Sequence, residues 1–476
     1  MKTPLYLLPV LALAPLHPTR QDPAGAPPSP AELVAGYEQT VDRILAESVA
    51  RGQAWNLLDD LCRTAPHRLS GSEGAATAVE WGRGTMERLG FENVRLEPCT
   101  VPHWERGKVA SLVVTAPEAL AGTRWPITAL GGSVATPEGG LTAEVVEVRS
   151  FDELDALGED ARGRIVFFNR PMDDEQLDPF AAYGLAVSQR TQGASRAARV
   201  GGAAALVRSV TMRLDDAPHT GAMRYDRRVP DKVPAMAIST RGAEALSAEL
   251  KRGPVSLKLE LDCRTLEDKQ SFNVVGELVG REHPEEVIVV GGHLDCWDVG
   301  QGAHDDGSGS CQSLEVVRLL KALDLRPRRT IRVVLFMNEE NGLRGAHAYH
   351  EDHADEMPNH VFALESDRGG FAPQGFTCDA GPKDLPTVRA IAALLDGIGA
   401  DRVRPGGGGA DVTPMARSGV ITAGLLPFGQ RYFDFHHSSN DTIDAVHPRE
   451  LNLGAGVMAV MCYVIAELPE RLQGNG

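Results

Sequence analysis

Residues Val287–Gly309 read VIVVGGHLDCWDVGQGAHDDGSG. Four apolar, β-branched residues, Val287, Ile288, Val289 and Val290, have the character of a buried strand. Gly291 and Gly292 end it, and His293, Asp295, Asp298, Asp305 and Asp306 follow on a glycine-rich loop. Leu314, Val317 and Leu320 then recur at helical spacing. Strand, polar loop and helix in that order is the α/β arrangement that binds ligands at the carboxyl ends of strands. A histidine and several carboxylates gathered there suit a divalent metal. One such loop does not make a site, so the other strand ends decide the matter.

Downstream of Cys263 the texture is α/β throughout. Strands are expected at Asn273–Leu278, Val287–Val290, Thr330–Met337, Val361–Leu364 and Ile421–Leu426, with helices at Gln312–Leu323, Leu385–Gly397 and Leu453–Glu467. The pattern predicts a mixed, mainly parallel sheet flanked by helices. From about Ala110 to Cys263 short strand candidates recur between turns rich in Gly, Pro and Asp, at Ser111–Thr115, Ala143–Val148, Ile165–Asn169, Ala204–Val207, Met236–Ser239 and Val255–Leu261. This span reads as a mostly β insert with its own small core and no metal-like cluster. Upstream, Ser70 or Ser72 can cap a helix running to Leu89, Phe91–Glu97 alternates as a strand, and Val101–Gly107 breaks the pattern.

The chain has 476 residues, too many for one simple core, and a formal net charge of −17. That charge argues against nucleic acid, whose phosphates it repels. Lys2 precedes an apolar run from Leu5 to Leu16, interrupted by Pro9 and Pro15, which suits the core of a signal peptide. Residues 1–20 are therefore expected to be removed, leaving a secreted or periplasmic protein. No cysteine adjoins the run to anchor a lipid, and no later stretch is expected to span a membrane. The seven cysteines contain no C-x-x-C pair, which argues against a zinc ribbon or a disulfide scaffold and leaves one or two disulfides open.

Three strand ends converge on one chemistry. TIRVVLFM (Thr330–Met337) runs into Asn338-Glu339-Glu340, and Val361–Leu364 runs into Glu365-Ser366-Asp367. Further on, Phe433–Thr442 (FDFHHSSNDT) supplies histidines. Each piece alone has an ordinary reading: solvated glutamates, a helix-capping Asp, structural histidines. Together they divide into a two-metal set, which needs a bridging carboxylate. His293 plus Asp367 can serve one ion, Glu340 plus His437 the other, and Asp305 can bridge. Successive side chains of an extended segment face opposite ways, so Glu339 stays free as a general base. Nitrogen and oxygen donors without thiolate favour zinc.

These residues also carry a resemblance. HLDCWDVGQGAHDD, NEENG, ESDRGG and FHHSSNDT stand in the order and at the spacing of the co-catalytic zinc peptidases of family M28 (clan MH), and most resemble its secreted carboxypeptidases. RLSGS, PHWERG, SFDEL, QRTQGA and PHTG resemble stretches of their N-terminal and inserted regions. The resemblance implies the zinc exopeptidase fold and two zinc ions per chain, with ligands His293, Asp305 (bridging), Glu340, Asp367 and His437. His437 is preferred to His436 because the family's ligand lies four residues before the Asp of the D-T pair, here Asp441. Glu339 is implied as the base and Asp295 as the residue that orients His293 from behind.

The implied organisation is 21–110 as the N-terminal part of the peptidase domain, 111–262 as a protease-associated-like insert and 263–476 as the catalytic domain. The implied substrate is a short peptide, most simply a dipeptide with free termini, and the relatives pair as homodimers. Asp411, after Gly406–Gly409 as a flexible cleft wall, and Tyr432 are candidate substrate contacts. Cys296 stands where the relatives are expected to carry Ser and is read as an isosteric loop residue. The rival readings are an aminopeptidase acting on longer peptides, a one-zinc glutaminyl cyclase and a non-catalytic binding module.

Overall fold

The structure is a computed structural model and describes residues 29–475. The expected signal peptide, 1–20, lies outside the described residues. Two sheets organise the rest. The larger has eight strands in the order Glu92–Glu105, Arg264–Leu278, Arg329–Phe336, His283–His293, His360–Glu365, Ile421–Pro427, Pro373–Cys378 and Arg402–Pro405. Its four middle strands are parallel and its flanks antiparallel, which is the mixed, mainly parallel sheet predicted.

Register places the loops that follow these strands. His293 pairs with Phe336, and Gly291 with both Val334 and Glu365. The three parallel strands therefore end side by side, and the polar residues after each emerge at the same level. Val287, Ile288, Val289 and Val290 are almost fully buried. Burying each such side chain contributes about 1.5–3 kcal/mol, so the hydrophobic pattern resists a slip of register that would separate the strand ends. Behind the site the helices Ser308–Ala322 and Pro448–Glu467 pack on the sheet and against each other. That last helix is long and apolar enough to cross a membrane, contrary to expectation, but most of it is buried inside the protein. Its hydrophobicity on all sides suits a central core helix.

The last two strands of the sheet escape the sequence pattern. Pro373–Cys378 has no apolar run, and Arg402–Pro405 is short and mostly exposed. The strand predicted over Phe91–Glu97 continues to Glu105, because a register shift between Val101 and His103 absorbs Pro102. Ser72, not Ser70, caps the following helix, accepting from Ala75 N at 3.1 Å. All seven cysteines are buried free thiols, so neither disulfide left open by the sequence is present.

The second sheet lies within residues 110–261 and has seven strands. Leu141–Val148, Ile165–Phe168, Ala204–Arg208 and Ala235–Ile238 run parallel, which requires crossover connections. Helices Phe151–Leu157, Pro179–Ala186, Ser188–Arg199 and Thr240–Leu250 lie between strands of this sheet, so the span is α/β rather than mostly β.

Trp297, from the His293 loop, joins the two halves. It belongs to the core of the second sheet, where its ring meets Trp104 edge-on at 6.5 Å. Asp298 beside it receives Arg106 Nε at 2.9 Å. A Cβ added at Gly131 would fall inside the Trp297 indole. Gly131→Ala should therefore overpack this joint and cost about 1–3 kcal/mol. The measurement is the urea midpoint of the full chain; an unchanged midpoint would mean that Trp297 is not seated against Gly131.

Candidate metal centre

The side chains at the strand ends meet. His293 Nε2 lies 3.2 Å from Asp305 Oδ1 and 3.6 Å from Asp367 Oδ1. His437 Nε2 lies 3.3 Å from Asp305 Oδ2 and 3.0 Å from Glu340 Oε2. Asp305 thus turns one oxygen toward each histidine. His436 stacks on His437 with ring centres 3.5 Å apart, but its Nε2 reaches no nearer than 3.8 Å to Asp305 Oδ2. Tyr432 is buried and stacked on Phe180. His437 and Asn338 have φ of 60° and 74°, left-handed values that non-glycine residues seldom adopt and that cluster at functional sites.

Second-layer contacts hold these groups in place. Asp295 acts differently from expectation. Its backbone carbonyl, 2.9 Å from His293 Nδ1, orients the ring, while its carboxylate stands 3.9 Å away. That carboxylate instead accepts the backbone N–H groups of Asn338 at 2.7 Å and Glu339 at 3.0 Å, and so fixes the Glu339–Glu340 loop. Asp306 accepts from His293 N at 3.1 Å and Gly309 N at 3.0 Å. Asp441 accepts from His304 N at 2.7 Å and Asp305 N at 3.1 Å. Trp297 N donates to Glu340 at 3.2 Å.

Beneath the loop lies Arg68, fully buried, a residue no sequence argument singled out. Its guanidinium donates to the carbonyls of Leu294 at 2.5 Å, Gln301 at 2.5 Å and Gly302 at 2.8 Å. Cys296 packs on Gly302, and burial pushes its thiol up to about 11. Asp411 is fully buried with both carboxylate oxygens unpaired, so it lies inside the wall rather than on the cleft surface. Gly407, Gly408 and Gly409 before it are closely approached by neighbours, and a Cβ at Gly409 would strike the Glu365 carboxylate, whereas Gly406 is exposed.

The electrostatics of the cluster favour a cation. Burial raises Glu339 to about 8 and Asp441 to about 7, and pushes Glu340 and Asp306 well above the carboxylate range. Burial alone would lower His293, but its contacts with Asp305 and Asp367 carry it well above an ordinary imidazole. His437 goes the other way, held neutral by burial and by His436. His293 Nε2 and Asp305 Oδ2 are buried and lack hydrogen-bond partners. A divalent ion supplies what these donor atoms lack, and a cavity of about 10 Å³ borders Asp305, Glu340 and His437. The residues present fit such an ion.

The profile of "Peptidase family M28" matches residues 273–461. Carboxypeptidase Q of Bos taurus is 39% identical over 445 residues, covering 93% of this chain and 92% of its own. The crystal structure of a Peptidase M28 precursor from Shewanella amazonensis SB2B superposes with a TM-score of 0.88 at 32% identity, over 93% of this chain and 99% of that one. A zinc aminopeptidase from Bacillus subtilis shares the fold, with a TM-score of 0.64 at 19% identity over 89% of this chain and 98% of that one.

The raised carboxyls set a pH dependence. Glu339 at about 8 and Asp441 at about 7 lie above the unfolded-chain values, near about 4. The folded, metal-stripped protein therefore binds more protons than the unfolded chain between those limits. The stability from these protons is complete at low pH and is lost as pH rises through about 7–8. Buried histidines held low, His219, His304 and His360 at about 4 and His436 at about 3, act the opposite way below about pH 6.5, so the melting temperature of stripped protein should fall from about pH 7 to about pH 8.5, and a divalent ion should restore most at the alkaline end. A flat or rising profile in stripped protein would contradict this account.

Proposed function

The chain belongs to peptidase family M28 and is a metallo-exopeptidase, and from that premise we propose a di-zinc enzyme that hydrolyses short peptides, chiefly dipeptides with free termini. One observation carries the reading: Asp305 directs its two oxygens to two different histidines, each of which also faces a further carboxylate. His293 and Asp367 would hold one ion, His437 and Glu340 the other, and Asp305 both. Nitrogen and oxygen donors of this kind favour zinc. When bound, the ions supply Lewis acidity toward the peptide carbonyl and make water a better nucleophile.

The protein's own groups do the rest. Glu339 takes the proton of the attacking water and returns it to the leaving amine. Its backbone N–H is tied to the Asp295 carboxylate, so its carboxyl is delivered at a fixed height. Trp297 N–H and Asp441 hold Glu340 and the Asp305 segment in position. Thr220 N–H of the second-sheet region donates to the His437 carbonyl at 2.8 Å, so that region walls the site closely, which supports a small substrate. Export to the periplasm or outside the cell rests on the Lys2–Leu16 segment, the 111–262 insert as a protease-associated-like domain on the resemblance, and homodimer formation on the resemblance alone. Light scattering at micromolar concentration checks the last: a monomer mass removes it.

Glu339→Gln should lower turnover by about two to four orders of magnitude with metal content nearly unchanged. Glu340→Gln removes a ligand, so one ion should weaken along with activity. The tests are metal per chain and hydrolysis of a panel of dipeptides, their blocked derivatives and longer peptides. If Glu339→Gln loses metal while Glu340→Gln keeps both ions, the roles are reversed. One tightly held ion per chain rejects the two-metal reading, and preference for longer peptides favours an aminopeptidase.

A further inference from the structure

We propose that Asn338, Asn341 and Ser70 are positioning residues, a closed triangle of side-chain hydrogen bonds that sets where Glu339 is delivered; the proposal rests on the reading of Glu339 as the base given above. Asn338 Nδ2 donates to Ser70 Oγ at 2.7 Å and to Asn341 Oδ1, and Ser70 Oγ donates to the same Asn341 oxygen at 2.8 Å. Asn338 and Asn341 flank Glu339-Glu340, so two corners of the triangle close the loop that carries base and ligand. The third corner comes from the RLSGS stretch, 268 positions from Asn338 in the chain. Ser72 caps the helix beside it, which leaves the Ser70 hydroxyl free for this contact.

The geometry calls for asparagine at 338. Its φ of 74° is left-handed, a conformation that asparagine tolerates better than most other non-glycine residues. The side chain is fully buried and its amide is fully used. Both Nδ2 protons go to the triangle, and Oδ1 accepts Arg344 N–H at 3.2 Å, at the start of the helix Arg344–Asp352. A Cβ at Gly342 would collide with that Oδ1, so the loop is shaped around the amide. Ser70 is buried as well, so removing one corner leaves the others short of a partner that water does not replace.

A turn of this kind can serve the fold alone, but the two glutamates it encloses are held differently. The Glu340 carboxylate has supports of its own, Trp297 N–H at 3.2 Å and His437 Nε2 at 3.0 Å. Among the described residues Glu339 is held through its backbone alone, its N–H on Asp295 and its carbonyl accepting from Gly342 N–H. The Glu339 carboxyl therefore inherits its position from backbone that the triangle closes, whereas Glu340 is fixed at its own tip. A misplacement of about 1 Å costs a reacting group about a hundredfold in rate. Opening the triangle should thus disturb proton transfer before it disturbs metal binding.

The test uses full-length, zinc-loaded protein in four variants: Asn338→Gly, which keeps the left-handed backbone accessible, Ser70→Ala, the two combined, and Glu339→Gln. The readouts are kcat and KM for the panel dipeptide that the native enzyme cleaves fastest, metal per chain, and hydrogen exchange of peptides covering 338–343. Asn338→Gly and Ser70→Ala should each lower kcat about ten- to a hundredfold, with KM within about twofold and metal content native. Exchange over 338–343 should quicken in both. The combined variant should be no slower than the slower single one, because both open the same triangle. Native kcat in the single variants beside an inactive Glu339→Gln overturns the clamp and leaves the base. Native kcat in Glu339→Gln overturns the base reading and the positioning role with it, as does a native protein that cleaves none of the panel. Metal lost in step with activity means that the triangle serves Glu340, which overturns the proposal, and so does unchanged exchange or an additive loss in the combined variant.

Discussion

A knot of buried carboxylates is the constraint on which the rest of this structure depends. Asp295, Asp305, Asp306, Glu340, Glu365, Asp411 and Asp441 are all at most 6% exposed, packed around His293 and His437. In a medium of low dielectric they cannot all be ionised unless something positive joins them. Backbone N–H groups supply part of that positive character: Asp295, Asp306, Asp441 and Glu365 each accept one or two. These four have an internal partner and serve as scaffold. Asp305 and His293 keep unpaired atoms facing one another's neighbours, and there the protein supplies no donor. An ion completes the cluster, so metal affinity and fold stability are two aspects of one equilibrium.

Holding that knot in register takes three kinds of interaction. Parallel pairing holds the strand ends level with one another. Arg68 gathers three loop carbonyls, which shapes the stretch from Leu294 to Gly302 and puts a permanent positive charge below the carboxylates. Trp297 then pins the same loop into the core of the second sheet. The loop carrying His293 is thus held from below, from the side and along its own strand, which is how a long glycine-rich segment becomes rigid enough to present ligands.

What the sequence could disclose follows from locality. A buried run that ends in His293, in Glu339-Glu340 or in Glu365-Ser366-Asp367 announces both strand and polar tip within ten residues, so those tips could be read directly. Arg68 could not: its meaning is three carbonyls more than 220 residues away in the chain. Asp295 could be named as an orienting residue, but which of its oxygens orients His293 depends on backbone geometry that no spacing encodes. The choice between His436 and His437 needed family resemblance, since adjacent histidines are equivalent in composition and differ only in which ring turns toward Glu340. The helices of the 110–261 span were underestimated for a related reason, because short amphipathic crossovers look like turn-rich linkers until the parallel strands that require them are seen.

The second sheet also contributes to the chemistry, although the metal-competent clusters found among the described residues include none of its side chains. Thr220 holds the backbone of His437, Tyr183 reaches Arg190, and Arg190 touches the His437 ring from the face opposite the cluster. The buried cation behind His437 opposes protonation of that ring, as burial and His436 already do, and so favours the neutral imidazole that a metal would require. The charge must nevertheless be balanced somewhere, and the carboxylates of the cluster lie on the far side of the imidazole. The arrangement puts negative charge in front of His437, where it can hold a cation, and positive charge behind it, which helps to keep the imidazole neutral.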